Sequence, residues 1–166
     1  MILELDNNLK NTIGIAFHTL MEFSMELSEI DNNKAKRLLS NYPLSIEGEK
    51  LILDSLKNIK NNEECMSILN FQSSFISIER EWIDPFGLLI RPDRVDFNFG
   101  KKVIHVIDFK WRIFNYKDEV YISQLVKYEL AMKFHYPDMQ VKCFLISGDA
   151  QISYLNHHQF LPQNVP

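Results

Sequence analysis

RPDRVDFNFGKKVIHVIDFK, residues 91–110, decides how this chain folds. It reads as two antiparallel strands, over about 88–99 and 102–111, joined by a turn around Gly100. Alternation puts Leu89, Arg91, Asp93, Val95, Phe97 and Phe99 on one face of the first strand. In the second it aligns Ile104, Val106, Asp108 and Lys110. Each strand thus carries an acid within a β-branched and aromatic run. A carboxylate there costs several kcal/mol unless it is paired or holds a cation.

Working outward, 13–30 has helical apolar spacing at Ile13, Phe17, Leu20, Met21, Leu27 and Ile30, giving a first helix from about Asn11. His18 and Glu22 lie one turn apart on it. Asp31-Asn32-Asn33 breaks that helix, and a short helix over 34–41 ends before Pro43. Ser45 caps a third helix with Ile52, Leu56 and Ile59 inward, and a further turn of helix covers 63–69. FQSSFISIEREWI, 71–83, reads as a strand closed by Asp84-Pro85-Phe86-Gly87. A helix over 119–135, a strand over 140–147 and a short strand over 152–155 follow; the tail from His157 reads as irregular. The expectation is one domain over 1–166, a helical layer at about 10–70 and the sheet with its helix at about 71–155.

Bulk properties narrow the function. The chain is 46% hydrophobic and 24% charged, as in water-soluble globular proteins. It has no apolar run of about 20 residues to span a membrane and no secretory leader pattern. Cys65 and Cys143 are isolated, which fits a reducing cytoplasm and cannot build a four-cysteine iron–sulfur centre. A net charge of −4 argues against nucleic-acid binding by bulk attraction. Residues 1–78 hold seven Lys+Arg against eleven Asp+Glu, whereas 79–112 hold seven against six, so the excess acid sits away from the hairpin.

The hairpin's chemistry points to phosphodiester hydrolysis. Mg²⁺ or Mn²⁺ takes one or two carboxylates and keeps its other positions for water and substrate oxygens. Asp93 and Asp108, on adjacent strands, can converge on such an ion. Lys110 lies on the same face as Asp108, about 7 Å along the strand, where it can orient or deprotonate a water. The Phe109 carbonyl between them is a further candidate ligand. Each piece alone has a bland reading: Asp-x-Lys recurs as a surface ion pair, Asp93 can pair with Arg91 or Arg94, and a lone helical histidine is usually a packing residue. Glu22 reads as solvent-facing, Glu79 and Glu81 as an exposed strand face, and Asp96 as a structural salt-bridge partner.

Four motifs in order resemble those of the RecB-like nuclease domains of the PD-(D/E)xK superfamily, as found with AddA/AddB and UvrD-type helicases. They are Gly14-x-x-x-His18-x-x-x-Glu22, Pro92-Asp93-Arg94-Val95-Asp96, Val106-Ile107-Asp108-Phe109-Lys110 and Gln124-Leu125-x-x-Tyr128. The resemblance covers about 14–128. It implies an αβββαβ core with a mixed central sheet flanked by helices, here with an N-terminal helical insertion. It also implies an Mg²⁺- or Mn²⁺-dependent DNA exonuclease. Catalysis would rest on Asp93, Asp108 and Lys110, metal binding on His18, Asp93, Asp108 and the Phe109 carbonyl, and DNA positioning on Gln124 and Tyr128. DNA and a helicase, in cis or in trans, are the implied partners, since the chain has no GK[ST] phosphate loop of its own. Ile90 and Trp111 stand where the family is often smaller, which would narrow the DNA channel. The rival reading is a non-catalytic DNA-binding or scaffolding module on the same fold.

Overall fold

In the computed structural model the described residues are 7–22, 30–112 and 119–155, the side chains of 7–10 excepted. Four helices come first: α1 (Asn7–Glu22), α2 (Asn32–Leu39), α3 (Ile46–Asn61) and α4 (Glu63–Leu69). The starts of α2, α3 and α4 are set by side chains that accept the otherwise unpaired first-turn amides. Asp31 takes Lys34 N at 2.7 Å, Ser45 takes Gly48 N at 3.0 Å and Asn62 takes Cys65 N at 3.0 Å. Asp31, expected only to break the first helix, therefore starts the second. The expected stretch of the first helix over 23–29, with Leu27, lies outside the described residues, as do the 115–118 loop and the tail from His157.

The sheet has five strands in the order β1 (Phe75–Ile78), β4 (Arg94–Asn98), β5 (Val103–Lys110), β6 (Gln140–Ser147) and β7 (Ile152–Tyr154). The β5–β6 pair is parallel and its crossover contains α5 (Glu119–His135), while the other pairs are antiparallel. A separate two-stranded ribbon, β2 (Trp82–Ile83) and β3 (Leu89–Ile90), is inserted between β1 and β4. The order helix, three antiparallel strands, helix, strand is the fold class expected from the sequence.

Two apolar layers fix the sheet's faces. Ile107, Phe109 and Ile146 pack with Ile13, Phe17 and Leu20 of α1 and with the other N-terminal helices. Ile104, Val106 and Leu145 pack with Leu125, Tyr128 and Met132 of α5. β5 is buried from Ile104 to Phe109, with Ile107 and Phe109 toward the helical layer and Ile104 and Val106 toward α5. Asp108 occupies an even, α5-facing position. Among the described residues no helix is long and apolar enough to cross a membrane.

Two expected strands are each split. Residues 71–83 break at Glu79, whose φ of 51° lies in the left-handed region, which is unusual for a non-glycine residue. Residues 88–99 break at Arg91-Pro92-Asp93, where Pro92 has no N–H for a ladder. In the β4–β5 turn Lys102 takes the left-handed conformation at φ 53°, and Lys101 N bonds Asn98 Oδ1 at 2.8 Å.

Candidate active site

The break before β4 places Asp93. The register Arg94↔Ile107 would next set Asp93 opposite Asp108, but β4 ends there. Asp93 Oδ2 instead accepts the Phe109 amide of β5 at 2.6 Å, so a carboxylate replaces a backbone partner at the point where the strands part. The N–H and C=O of a strand residue face the same edge, so the Phe109 carbonyl is presented on Asp93's side. Asp93 is 7% exposed and Asp108 2%.

Asp108 is held on three sides. Its Oδ1 accepts the Tyr128 hydroxyl at 2.8 Å and Gln124 Nε2 at 3.1 Å, and its Oδ2 lies 2.5 Å from Lys110 Nζ. Gln124 Nε2 also reaches the Tyr128 oxygen at 2.7 Å. The two α5 residues expected to position DNA thus orient a carboxylate in this structure. Burial and neighbouring Asp93 push the Asp108 carboxyl above its ordinary range, against the lowering pull of Lys110 and Tyr128.

From α1, His18 Nδ1 approaches Asp93 Oδ2 at 3.3 Å. Burial lowers its basicity, but the hydrogen bond and charge of Asp93, aided by Asp108, raise its pKa overall. Glu22, one turn on, is not solvent-facing as its sequence suggests. It is half-buried, and one ligand atom each from His18, Glu22 and Asp93 all lie within 4.8 Å of one another. Burial, then Glu79 through charge and a hydrogen bond, then Asp93, raise the Glu22 carboxyl to about 7.

Glu79 is the other residue the sequence undervalued. Its left-handed turn lets its N–H bond the Asp93 carbonyl at 3.0 Å and turns its carboxylate toward Glu22 and Arg91, with Arg91 Nε 3.0 Å from Oε2. An available signal for Glu22 was its i, i+4 spacing from His18. Nothing in the local sequence announces the turn at Glu79. Asp96 is as expected: fully buried, on β4, with Arg94 Nε 2.8 Å from its Oδ1.

An open groove of about 680 Å³ runs past this cluster, lined by Gly14, His18, Glu22, Glu79, Arg91 and Asp93 among others. The two bulky residues expected to crowd it lie elsewhere. Ile90 is buried in the α5-side core, and the Trp111 ring packs on Phe17 at 5.4 Å in the helical layer.

A cation fits this donor set. Glu22, Asp93, Asp108 and the His18 imidazole, of mixed burial, crowd one end of the sheet, and burial together with neighbouring carboxylates raises the Glu22 and Asp108 carboxyls above their ordinary range. Donors within 4.8 Å of one another can share one ion at about 2.0–2.2 Å from each. Asp108 is outside that trio, joined to it through the Phe109 amide that Asp93 accepts.

No protein-family profile matches the chain, and no curated protein matches it. Its fold is similar to the crystal structure of a candidate exonuclease from Eubacterium rectale, with a TM-score of 0.54 at 12% identity. The match covers 88% of this chain and 60% of that one, so this chain spans less than two thirds of its neighbour. The likeness supports a nuclease-type fold, and at this identity it speaks to the fold alone.

Proposed function

We propose that the chain is an Mg²⁺- or Mn²⁺-dependent deoxyribonuclease of the RecB-like type, acting as an exonuclease. The observation that carries this is the convergence of two buried acids from adjacent strands, Asp93 and Asp108, with His18 from α1 and a lysine paired to the second acid. His18, Glu22 and Asp93 would hold the ion, with Asp108 and the Phe109 carbonyl adjacent. An imidazole among carboxylates favours Mn²⁺ somewhat over Mg²⁺. The bound ion supplies positive charge to the phosphate and lowers the pKa of the attacking water.

The chain's own residues do the rest. Lys110, held by Asp108 Oδ2, orients the attacking water and offsets charge on the phosphate. Tyr128 and Gln124 fix the rotation of Asp108 and, with Arg91 at the groove, position the strand. A separate DNA-translocating helicase, in cis or in trans, is the partner this reading implies, because a chain of net charge −4 has little bulk attraction for DNA.

The test is incubation of linear single- and double-stranded DNA and closed circular DNA with the protein in Mg²⁺, Mn²⁺ or EDTA. Cleavage of linear DNA alone, abolished by EDTA, is expected. Asp108→Ala and Lys110→Ala should each lower the rate about a hundred- to ten-thousandfold. Activity that survives either substitution places the chemistry elsewhere. DNA binding without cleavage in any metal returns the non-catalytic reading.

A further inference from the structure

The segment Arg91-Pro92-Asp93 brings the first acid into the candidate site with little ladder to hold it. β3 ends at Ile90 and β4 begins only at Arg94. Pro92 has no N–H to give, and the Tyr128 hydroxyl reaches the Arg91 carbonyl only at 3.5 Å, a weak bond. Yet the Asp93 carboxylate has a fixed place. Its Oδ2 takes the Phe109 amide at 2.6 Å and lies 3.3 Å from His18 Nδ1.

One residue grips this segment at both ends. Ile78↔Arg94 is the last pair of β1 and β4, and Glu79 follows it opposite Asp93, its N–H donating to the Asp93 carbonyl at 3.0 Å. At φ 51° the chain then leaves the strand, and the Glu79 side chain lies against Arg91, Oε2 3.0 Å from Nε. Its main chain thus holds Asp93 and its side chain holds Arg91, on either side of Pro92. Among the described residues the Arg91 guanidinium pairs with Glu79 alone. A left-handed turn ordinarily falls to glycine, because a Cβ crowds the following carbonyl there. Glycine would make this turn without strain but could not reach Arg91. The glutamate's strain is tolerated where its carboxylate is used.

We propose that Glu79 is a positioning residue of the site: it clamps Arg91-Pro92-Asp93 from both sides of the proline and so fixes the Asp93 carboxylate against His18 and the Phe109 amide. The proposal rests on the nuclease reading for what Asp93 is placed to do, but the placement can be measured without metal or DNA.

The Glu79 carboxylate also meets Glu22, so a loss of metal affinity alone would not separate a clamp from an effect of charge. The Phe109 amide does separate them, since Asp93 Oδ2 is its acceptor. The experiment is amide hydrogen exchange by NMR on the metal-free protein, reading Phe109 against Val106 in the middle of β5, with Mn²⁺ calorimetry alongside. Thermal melts confirm that each variant folds; glycine accepts the turn at 79, and Arg91 is exposed. Glu79→Gly and Arg91→Ala should each speed exchange at Phe109 about fivefold with Val106 unchanged. Glu79→Gln still offers Arg91 Nε an acceptor and should stay near wild type. The double variant Glu79→Gly, Arg91→Ala should exchange no faster than either single one. Glu79→Gly should also raise the Mn²⁺ Kd about tenfold. Wild-type exchange at Phe109 in both single variants overturns the clamp, and so do effects that add in the double variant. Equal loss in Glu79→Gln and Glu79→Gly overturns it in favour of charge. Parallel cleavage of linear DNA in Mn²⁺ separates the two readings. If wild type never cleaves but both single variants free the Phe109 amide, the clamp stands and the catalytic reading falls. If wild type cleaves through Asp108 and Lys110 while both variants leave Phe109 protected, the reverse holds.

Discussion

Tyr128 donates from a buried hydroxyl to Asp108 Oδ1 at 2.8 Å, and that bond favours the charged carboxylate against burial and Asp93. Removing the hydroxyl in Tyr128→Phe therefore raises the Asp108 pKa further. The acid limb of the cleavage profile should move to higher pH, with little effect on the alkaline side. A merely packing tyrosine would change stability and leave the limb in place. Glu22 makes the complementary point. Its carboxyl offers a ligand atom beside His18 and Asp93, so Glu22→Gln should weaken Mn²⁺ binding about tenfold or more by calorimetry. Unchanged affinity would remove Glu22 from the donor set.

At the scale of elements, β4 shows how a buried pair behaves when split. Arg94 and Asp96 are 2% and 0% exposed, joined at 2.8 Å, and Arg94 Nη2 also reaches the Leu69 carbonyl at 3.1 Å. Arg94→Met alone strands a buried carboxylate and should cost about 3–5 kcal/mol in urea unfolding. The double variant Arg94→Met, Asp96→Leu should recover most of that loss. At the far end of β5, a Cβ on Gly148 would lie 2.7 Å from the Trp111 carbonyl oxygen, while Gly148 N is tied to the Lys110 carbonyl at 2.9 Å. Gly148→Ala should cost about 1–3 kcal/mol, with strain felt next to Lys110. The ends of β6 and α5 were readable because apolar period and turn residues agree there, as at Pro137 and Gly148. The splits at Glu79 and Pro92 were not. A left-handed glutamate has no local signature, and an apolar run on both sides of a proline still reads as one strand. The same blindness hid part of the site. Asp93, Asp108 and Lys110 stand out as charges in a strand, whereas Glu22 and Glu79 look solvated until tertiary placement brings them together.

Across the whole molecule, half-buried Glu22 and buried His105 oppose each other in pH. Glu22 has a folded pKa of about 7 against an ordinary 4.5, so below pH 4.5 it is protonated in both states and above 7 it is charged in both. Its full penalty is reached only above 7, so it makes the metal-free protein less stable as pH rises across that window. Because it is only half-buried, solvent screening limits this to about 1 kcal/mol. His105, stacked on Phe71 at a centroid distance of 3.8 Å, is depressed by burial to about 4. The unfolded chain protonates it first, so its contribution is complete above 6.5 and is lost as pH falls toward 4, by no more than about 2 kcal/mol after the same discount. Their windows overlap between about 4.5 and 6.5, where the two contributions offset each other. His105→Phe should make the stability of the metal-free protein decline more steeply with rising pH than in wild type, and Glu22→Gln less steeply. A divalent cation relieves only the Glu22 side, since binding needs the deprotonated donor. The rise in Tm on adding Mn²⁺ should thus be larger at pH 8 than at pH 5 in wild type and much reduced at both in Glu22→Gln. Equal shifts at the two pH values would mean that the ion binds away from His18, Glu22 and Asp93.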